Sequence, residues 1–256
     1  NLVFNRYLDE CDEVDGLALL PFFMSVRATI RAHVMAEQAL QAAGLQQEEL
    51  VSEAKSYAAL ALYLLVPEPV HLVAIGGLSG TGKSTVAAAI AHEIGPAPGA
   101  RILASDRIRK HRYGVSAETR LPVHAYQLEV SEQVYATLAQ SAGQILAGGH
   151  AVVADAVFDR PGGRERIERI ASDTKVGFTG IWLYAEPDQL FDRVDKRTGD
   201  PSDATAEVLR AQLVQNSGQS GWFQVYAGGT IATTLEQCRT QTMMLRSAVL
   251  AKEGPH

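Results

Sequence analysis

Two rhythms of hydrophobic and polar residues run along this chain. From about residue 17 to 43, apolar positions recur at helical spacing (Leu20, Phe23, Val26, Ile30, Val34), which makes one stripe of a helix. Pro21 suits the first turn and Gly44 the stop. A second helix is predicted over about 47–65, closed by Pro67-Glu68-Pro69. That proline pair is the expected boundary between a helical segment, 1–66, and a larger domain, 67–256. Beyond it, short apolar runs alternate with longer amphipathic stretches. Runs at 70–75, 100–104, 151–154 and 178–184 read as strands, with 222–226 a weaker fifth. Helices are predicted between them at 83–93, 126–146, 163–172, 187–198 and 204–215. A last helix is expected to start at Thr233, where Thr233-Thr234-Leu235-Glu236 has capping-box form. The alternation predicts an α/β fold: a parallel sheet between helices, with ligands at the carboxyl ends of the strands.

The junction of the first strand and its helix carries the clearest chemistry. Gly77-Leu78-Ser79-Gly80-Thr81-Gly82-Lys83-Ser84 spells G-x-x-x-x-G-K-[ST] directly after the apolar run 70–75. In that setting the glycines let backbone N–H groups converge on phosphates, Lys83 adds a point charge, and Ser84 offers a hydroxyl to Mg²⁺. Gly77, Ser79, Gly80, Thr81, Gly82, Lys83, Ser84 and Thr85 are therefore expected to bind a nucleoside triphosphate, helped by the positive end of the following helix. The sequence thus defines a P-loop NTPase preceded by a short helical segment.

Composition narrows the setting. Of 256 residues, 46% are hydrophobic and 20% charged, an ordinary globular balance. A net charge of −6 disfavours a large nucleic-acid footprint, so nucleic acid is not the expected partner. The two cysteines, Cys11 and Cys238, have no metal-ligand spacing and fit a reducing, cytoplasmic setting. The longest unbroken apolar run, 58–66, ends at Pro67, so no membrane span is expected. The chain opens on Asn1 with neither signal-peptide pattern nor initiator methionine, and is expected to be processed, truncated or part of a longer protein.

Phosphoryl transfer needs charge neutralisation and an aligned acceptor more than covalent chemistry. The strand 151–154 ends in Asp155, the expected carboxylate for Mg²⁺ beside Ser84. Motor-type ATPases place a water-activating Glu directly after this Asp; here the position is Ala156, which favours transfer to a bound hydroxyl over hydrolysis. No Asn-Lys-x-Asp stretch is present to read guanine. Asp106, in Ser105-Asp106-Arg107-Ile108-Arg109-Lys110, is expected at the end of the second strand, where it would engage the acceptor hydroxyl while Arg107, Arg109 and Lys110 meet a substrate anion or the transferring phosphoryl group, with Arg109 the substrate-binding choice. Arg193 and Arg197, four residues apart, would share a helix face and close as a lid over the γ-phosphate, with Arg197 catalytic and Arg193 on the nucleotide. Arg160, Arg164 and Arg166, which follow the Asp155 strand, stay open between substrate contacts and a solvated helix start. Tyr126, Tyr135, Trp182 and Tyr184 read as core, and Trp222-Phe223 as a candidate border of the adenine.

Together the 77–85 loop, Ser105–Lys110, Val152-Val153-Ala154-Asp155-Ala156-Val157-Phe158 and the Arg193/Arg197 segment resemble P-loop small-molecule kinases of the zeta-toxin, gluconate-kinase and polynucleotide-kinase type. The stretch from Asp15 to Phe23, continuing through Arg27 and Arg31, is similar to the last helices of the aminoglycoside-phosphotransferase-like domain to which a bacterial subset of these is fused. The resemblance implies that Lys83, Ser84 and Asp155 bind MgATP, that Asp106 is the acceptor-side carboxylate and that Arg197 belongs to the lid. It does not imply aminoglycoside phosphorylation, because the His-Gly-Asp loop for that chemistry is absent.

The expected activity is ATP-dependent transfer of the γ-phosphate to a small-molecule hydroxyl. Two alternatives stay open at this point: a nucleotide or polynucleotide 5′-kinase, and a non-catalytic, ATP-dependent binding or regulatory module. The apolar end of the second helix, Leu60-Ala61-Leu62-Tyr63-Leu64-Leu65, must be covered by the kinase core, by a second copy in a homodimer, or by an upstream kinase-like domain.

Overall fold

The computed structural model describes residues 1–11, 13–196, 203–215 and 221–252. Five parallel strands form the sheet: β1 (His71–Gly77), β2 (Arg101–Ala104), β3 (Val152–Asp155), β4 (Gly177–Tyr184) and β5 (Phe223–Tyr226), in the spatial order β2-β3-β1-β4-β5. All five expected strands are present, the weak fifth included. In-register pairing sets Ile75 of β1 opposite Asp155 of β3, so the phosphate loop and the candidate metal carboxylate leave the sheet side by side.

Both faces of the sheet are buried, which is why its strands read as continuous apolar runs and not as alternations. Leu72, Ala74, Val152 and Ala154 face one core with Leu138, Ile145 and Ile167. Val73, Ile75, Val153, Ile181 and Leu183 face the other with Val86, Ile90 and Cys238. The first core is covered by α6 (Leu128–Ala147) and α7 (Pro161–Thr174), the second by α4 (Lys83–Ile90) and α10 (Ile231–Lys252). Trp222 lies within the first core, its indole against Gly180, where a Cβ would collide with the ring. It therefore does not border the nucleotide site, contrary to the reading from sequence.

Three further differences have local causes. The last helix begins at Ile231 because the Thr230 hydroxyl, not that of Thr233, accepts the first-turn N–H of Thr233 (3.2 Å). The highly charged stretch Ser105–Arg112 forms a helix, α5, with no apolar period to announce it. A ten-residue helix, α1 (Leu2–Cys11), precedes the two that were expected.

Those two are α2 (Leu20–Gln41) and α3 (Leu45–Tyr63), packed against each other as a hairpin. Together with the short turn before it, α2 makes a helix over Leu17–Gln41 that is long and apolar enough, by length and composition alone, to cross a membrane. The expectation that no segment reaches that length is corrected: it counted only unbroken apolar runs, whereas a span tolerates scattered polar residues. The helices α8 (Pro187–Asp195) and α9 (Ala206–Gln215) add Leu190, Val194 and Leu209 to the first core and lie beside the phosphate loop. The expected lid helix at 187–198 is thus described as far as Asp195.

Candidate functional site

The phosphate loop turns tightly between β1 and α4. Gly77 adopts φ +139°, and a Cβ there would run into the Leu183 carbonyl. Gly80 adopts φ +90° with the Leu190 carbonyl of α8 only 2.9 Å from where a Cβ would sit. Glycine is required at both for backbone conformation and for space. Thr81 turns inward, its hydroxyl donating to the Leu78 carbonyl (2.8 Å), so it shapes the loop and does not face the cleft. Lys83 Nζ donates to the same carbonyl (3.2 Å). The Ser79 N–H is met by Oε1 of Gln212 on α9 (2.9 Å), a carbonyl oxygen where a phosphate oxygen would be accepted.

At the next strand end Ser84 Oγ donates to Asp155 Oδ2 at 2.6 Å. A hydroxyl and a buried carboxylate converging at the mouth of the phosphate loop are hard oxygen donors, the set that Mg²⁺ takes from proteins when phosphates and water complete its shell. The residues present fit that ion. Ala156 is buried, and its N–H donates to the Ile75 carbonyl (3.3 Å), so no base follows the carboxylate. The chain then passes Phe158, held at φ +51° by its N–H on the Tyr135 hydroxyl (2.9 Å) and its carbonyl on Arg164 (2.6 Å). That kink brings Asp159 and Arg160 to the rim of the same cleft.

The cleft is a cavity of about 680 Å³ lined jointly by Ser79, Gly82, Lys83, Ser84, Thr85 and Asp155 on one side and by Asp106, Arg107, Arg109 and Tyr126 on the other. Of the residues expected from sequence, Gly77, Gly80 and Thr81 act on loop shape, while Asp106 and Arg109 share the cavity with the phosphate loop. Arg193 on α8 reaches the loop from outside, Nη1 donating to the Gly80 carbonyl (3.4 Å). Arg197 lies outside the described residues.

Several site residues escaped sequence reasoning. Tyr126 was read as core, yet its ring sits under the Arg109 guanidinium (4.7 Å) at the cavity wall. Its hydroxyl donates to Asp203 Oδ2 (2.7 Å). Burial, then that hydrogen bond, pushes the phenol far above its ordinary pKa, so it stays a neutral donor. Asp203 also accepts from Lys110 Nζ (3.0 Å) and the Leu121 N–H (2.8 Å). Burial alone would raise its pKa; these three donors outweigh it and hold the carboxyl below its usual value. Asp203 thus ties the chain just before α9 to α5 across the cleft.

A further wall comes from α1: Leu2, Asn5, Arg6 and Asp9 line the cavity. Asn5 caps the outer edge of the sheet, Oδ1 accepting from the Ile102 N–H (2.7 Å) and Nδ2 donating to the Ala100 carbonyl (3.1 Å). Asp9 takes Arg101 (2.7 Å) and Arg107 (3.0 Å) together. Its only sequence signal is a ten-residue amphipathic pattern, too short to stand out.

A glycine-rich loop on a central parallel strand, a hydroxyl–carboxylate pair beneath it and a cavity beyond are the fold and phosphate cradle of a P-loop NTPase with kinase-type architecture. The family model described as AAA domain (AAA_33) matches residues 72–216, more than half of the chain, and the chain belongs to that family. Among solved structures it is similar to a gluconokinase from Sinorhizobium meliloti (TM-score 0.52, 21% identity, 74% of this chain and 100% of that one). A sugar kinase from Janibacter sp. is comparable (TM-score 0.52, 17% identity, 70% and 97%). At these identities the likeness is one of fold. Curated relatives from Mycobacterium tuberculosis and Mycobacterium bovis, both uncharacterized, are 29% identical over 209 residues, 80% of this chain. The chain spans 40% of their length.

Proposed function

We propose that the protein is an ATP-dependent kinase that moves the γ-phosphate to a hydroxyl of a small molecule. One observation carries the reading: the Ser84–Asp155 pair and the Asp106 carboxylate open into the same cavity, with Ala156 where a hydrolase would hold its water-activating base. In this reading the P-loop amides and Lys83 hold the β/γ-phosphates, and Ser84 and Asp155 hold Mg²⁺, which would supply charge neutralisation at the phosphates. Asp106 accepts the proton of the acceptor hydroxyl as its oxygen bonds to the γ-phosphorus, and ADP leaves with the electrons of the broken P–O bond. Arg193 and Arg197 serve the nucleotide side and the closing lid. Gln212 must leave the Ser79 amide for a phosphate oxygen to take its place.

Lys83→Ala is expected to lower transfer from labelled ATP at least about 100-fold, in line with losing one preorganised charge at the reacting group. Calorimetry on the same folded variant should show MgATP binding weakened. Brisk ATP hydrolysis without an acceptor would overturn the kinase reading while leaving the phosphate cradle in place.

A second proposal concerns the helices before residue 67, taken as a unit apart from the kinase domain. Phe22, Phe23, Val26, Ile30 and Val34 stay exposed along α2, which supports a docking role toward a second copy or an upstream kinase-like domain. Mass in solution distinguishes the two, since only the first makes a dimer. The cytoplasm is the proposed compartment, supported by two free cysteines.

A further inference from the structure

Among the described residues, several cations around the acceptor side of the cavity sit in ion pairs. Asp9 takes Arg101 and Arg107, Glu118 takes Arg6, Glu132 takes Arg166, and Asp203 takes Lys110. Arg109 has no such partner: among the described residues no carboxylate lies at ion-pair distance from it. Yet it is only 6% exposed. Its contacts are neutral ones, Nη1 to the Ala125 carbonyl (2.6 Å), Nη2 to Ser131 Oγ (3.4 Å) and the Tyr126 ring beneath, while Nε is buried with no acceptor at all. Tyr126 cannot supply the missing charge, because its phenol is kept protonated on Asp203.

A guanidinium withdrawn from water without an anion is costly, and an unfilled buried donor adds to the cost. A ligand anion entering the cavity offsets the first of these penalties. Arg109 stands three residues after Asp106 on α5, so the two side chains rise from one face of the helix with their Cβ atoms about 5–6 Å apart. Both line the cavity shared with the phosphate loop.

Building on the phosphotransfer reading above, we propose that the acceptor is a hydroxylated anion, whose reactive hydroxyl meets Asp106 and whose carboxylate or phosphate group meets Arg109. The two groups lie about one helical turn apart on the acceptor. The planar fork suits either oxyanion, and a neutral polyol leaves Arg109 as it stands. Selectivity against neutral analogues follows from that unpaired charge, not from the size of the cavity.

The test uses the whole protein, labelled ATP and a protein-free bacterial metabolite extract split on an anion exchanger into retained and unretained fractions. Label is expected to enter products from the retained fraction at least ten times faster than from the unretained one. Treating the labelled products and their unlabelled precursors with phosphatase before separation distinguishes a phosphate-bearing acceptor from a carboxylate-bearing one. Arg109→Gln should raise the acceptor KM at least ten-fold, with a smaller fall in kcat, and Arg109→Lys should recover part of the loss. Transfer mainly into the unretained fraction, or an Arg109→Gln enzyme with the wild-type acceptor KM, overturns the anion and leaves the kinase standing. Absence of transfer into either fraction overturns the kinase reading, and this proposal with it. Should Arg109→Gln fail to fold, the comparison of fractions with the wild-type protein decides alone.

Discussion

Two helical pieces precede the sheet, and they are attached in opposite ways. The ten residues of α1 put Leu8 into the first core with Phe4 beside it, and fix the helix to the edge strand β2 through polar groups: Asn5 on the backbone of Ala100 and Ile102, Asp9 on Arg101 and Arg107. The much longer hairpin of α2 and α3 holds together through a small cluster, Ala28, Ala61 and Leu64, and leaves Phe23 60% and Ile30 48% exposed. Apolar content therefore does not measure attachment here. The short helix is part of a working cavity because its hydrogen-bonding groups match an open sheet edge; the long one buries little because its stripe has little to face.

Removing the match should produce the largest effect. Asn5→Leu keeps the volume of the side chain but strands the Ile102 N–H and takes away one contact of Arg101, while the Ala100 carbonyl keeps only its bond from Asn1 Nδ2 (3.1 Å). At about 1–3 kcal/mol for each buried group left unsatisfied, a loss of about 3 kcal/mol is expected in urea denaturation with an unchanged m-value. A loss below about 1 kcal/mol would mean that the sheet edge does not need α1, and the contrast with the hairpin would collapse.

The same contrast explains what could be read in advance. The strands and the phosphate loop were legible because both depend on local sequence: continuous apolar runs buried on two faces, and glycines fixed by φ and by close approach at Gly77 and Gly80. The acceptor side was legible only in part. Asp106 and Arg109 could be named from their position after a strand, but the α5 helix that pairs them has no apolar period. The wall made by α1 and the clasp at Asp203 rest on pairings across 97 and 93 residues, Asn5 with Ile102 and Asp203 with Lys110, and no spacing within one segment encodes those. Trp222 and Tyr126 exchanged roles for a related reason: aromatic residues carry the same pattern whether they fill a core or edge a cavity.

Acid should act through two buried histidines, one of which lies under α1. Under α1, the ring of Phe4 meets His150 edge-on (5.5 Å), and burial lowers the pKa of that imidazole; His71, at the foot of β1, is likewise lowered by burial, to about 4. Both histidines are thus neutral in the folded protein where the unfolded chain already binds protons. Their contribution to stability is complete above pH about 6.5 and is lost as pH falls from there toward about 4 for His71, at most about 1.4 kcal/mol per pH unit for each. His150→Gln, which can still donate to the Gly99 carbonyl, should reduce the slope of stability against pH in this window. An unaltered slope would show that the histidine under α1 takes no part in it.

The smallest effect is expected where the sequence looks most hydrophobic. Ile30 lies mid-stripe on α2 and is half exposed, so Ile30→Ser removes little buried area and leaves no polar group unsatisfied. Serine and isoleucine have about the same helix propensity, so the backbone adds little to the change. The expected change in unfolding free energy is therefore within about 0.5 kcal/mol, as for other exposed positions. Denaturation of the isolated chain at low concentration checks this, and repeating it at high concentration adds a second reading. If wild type gains stability with concentration and Ile30→Ser does not, the stripe is covered by another copy of the chain. If the substitution costs more than about 1 kcal/mol at every concentration, the stripe is covered from within, and the hairpin is attached as firmly as α1.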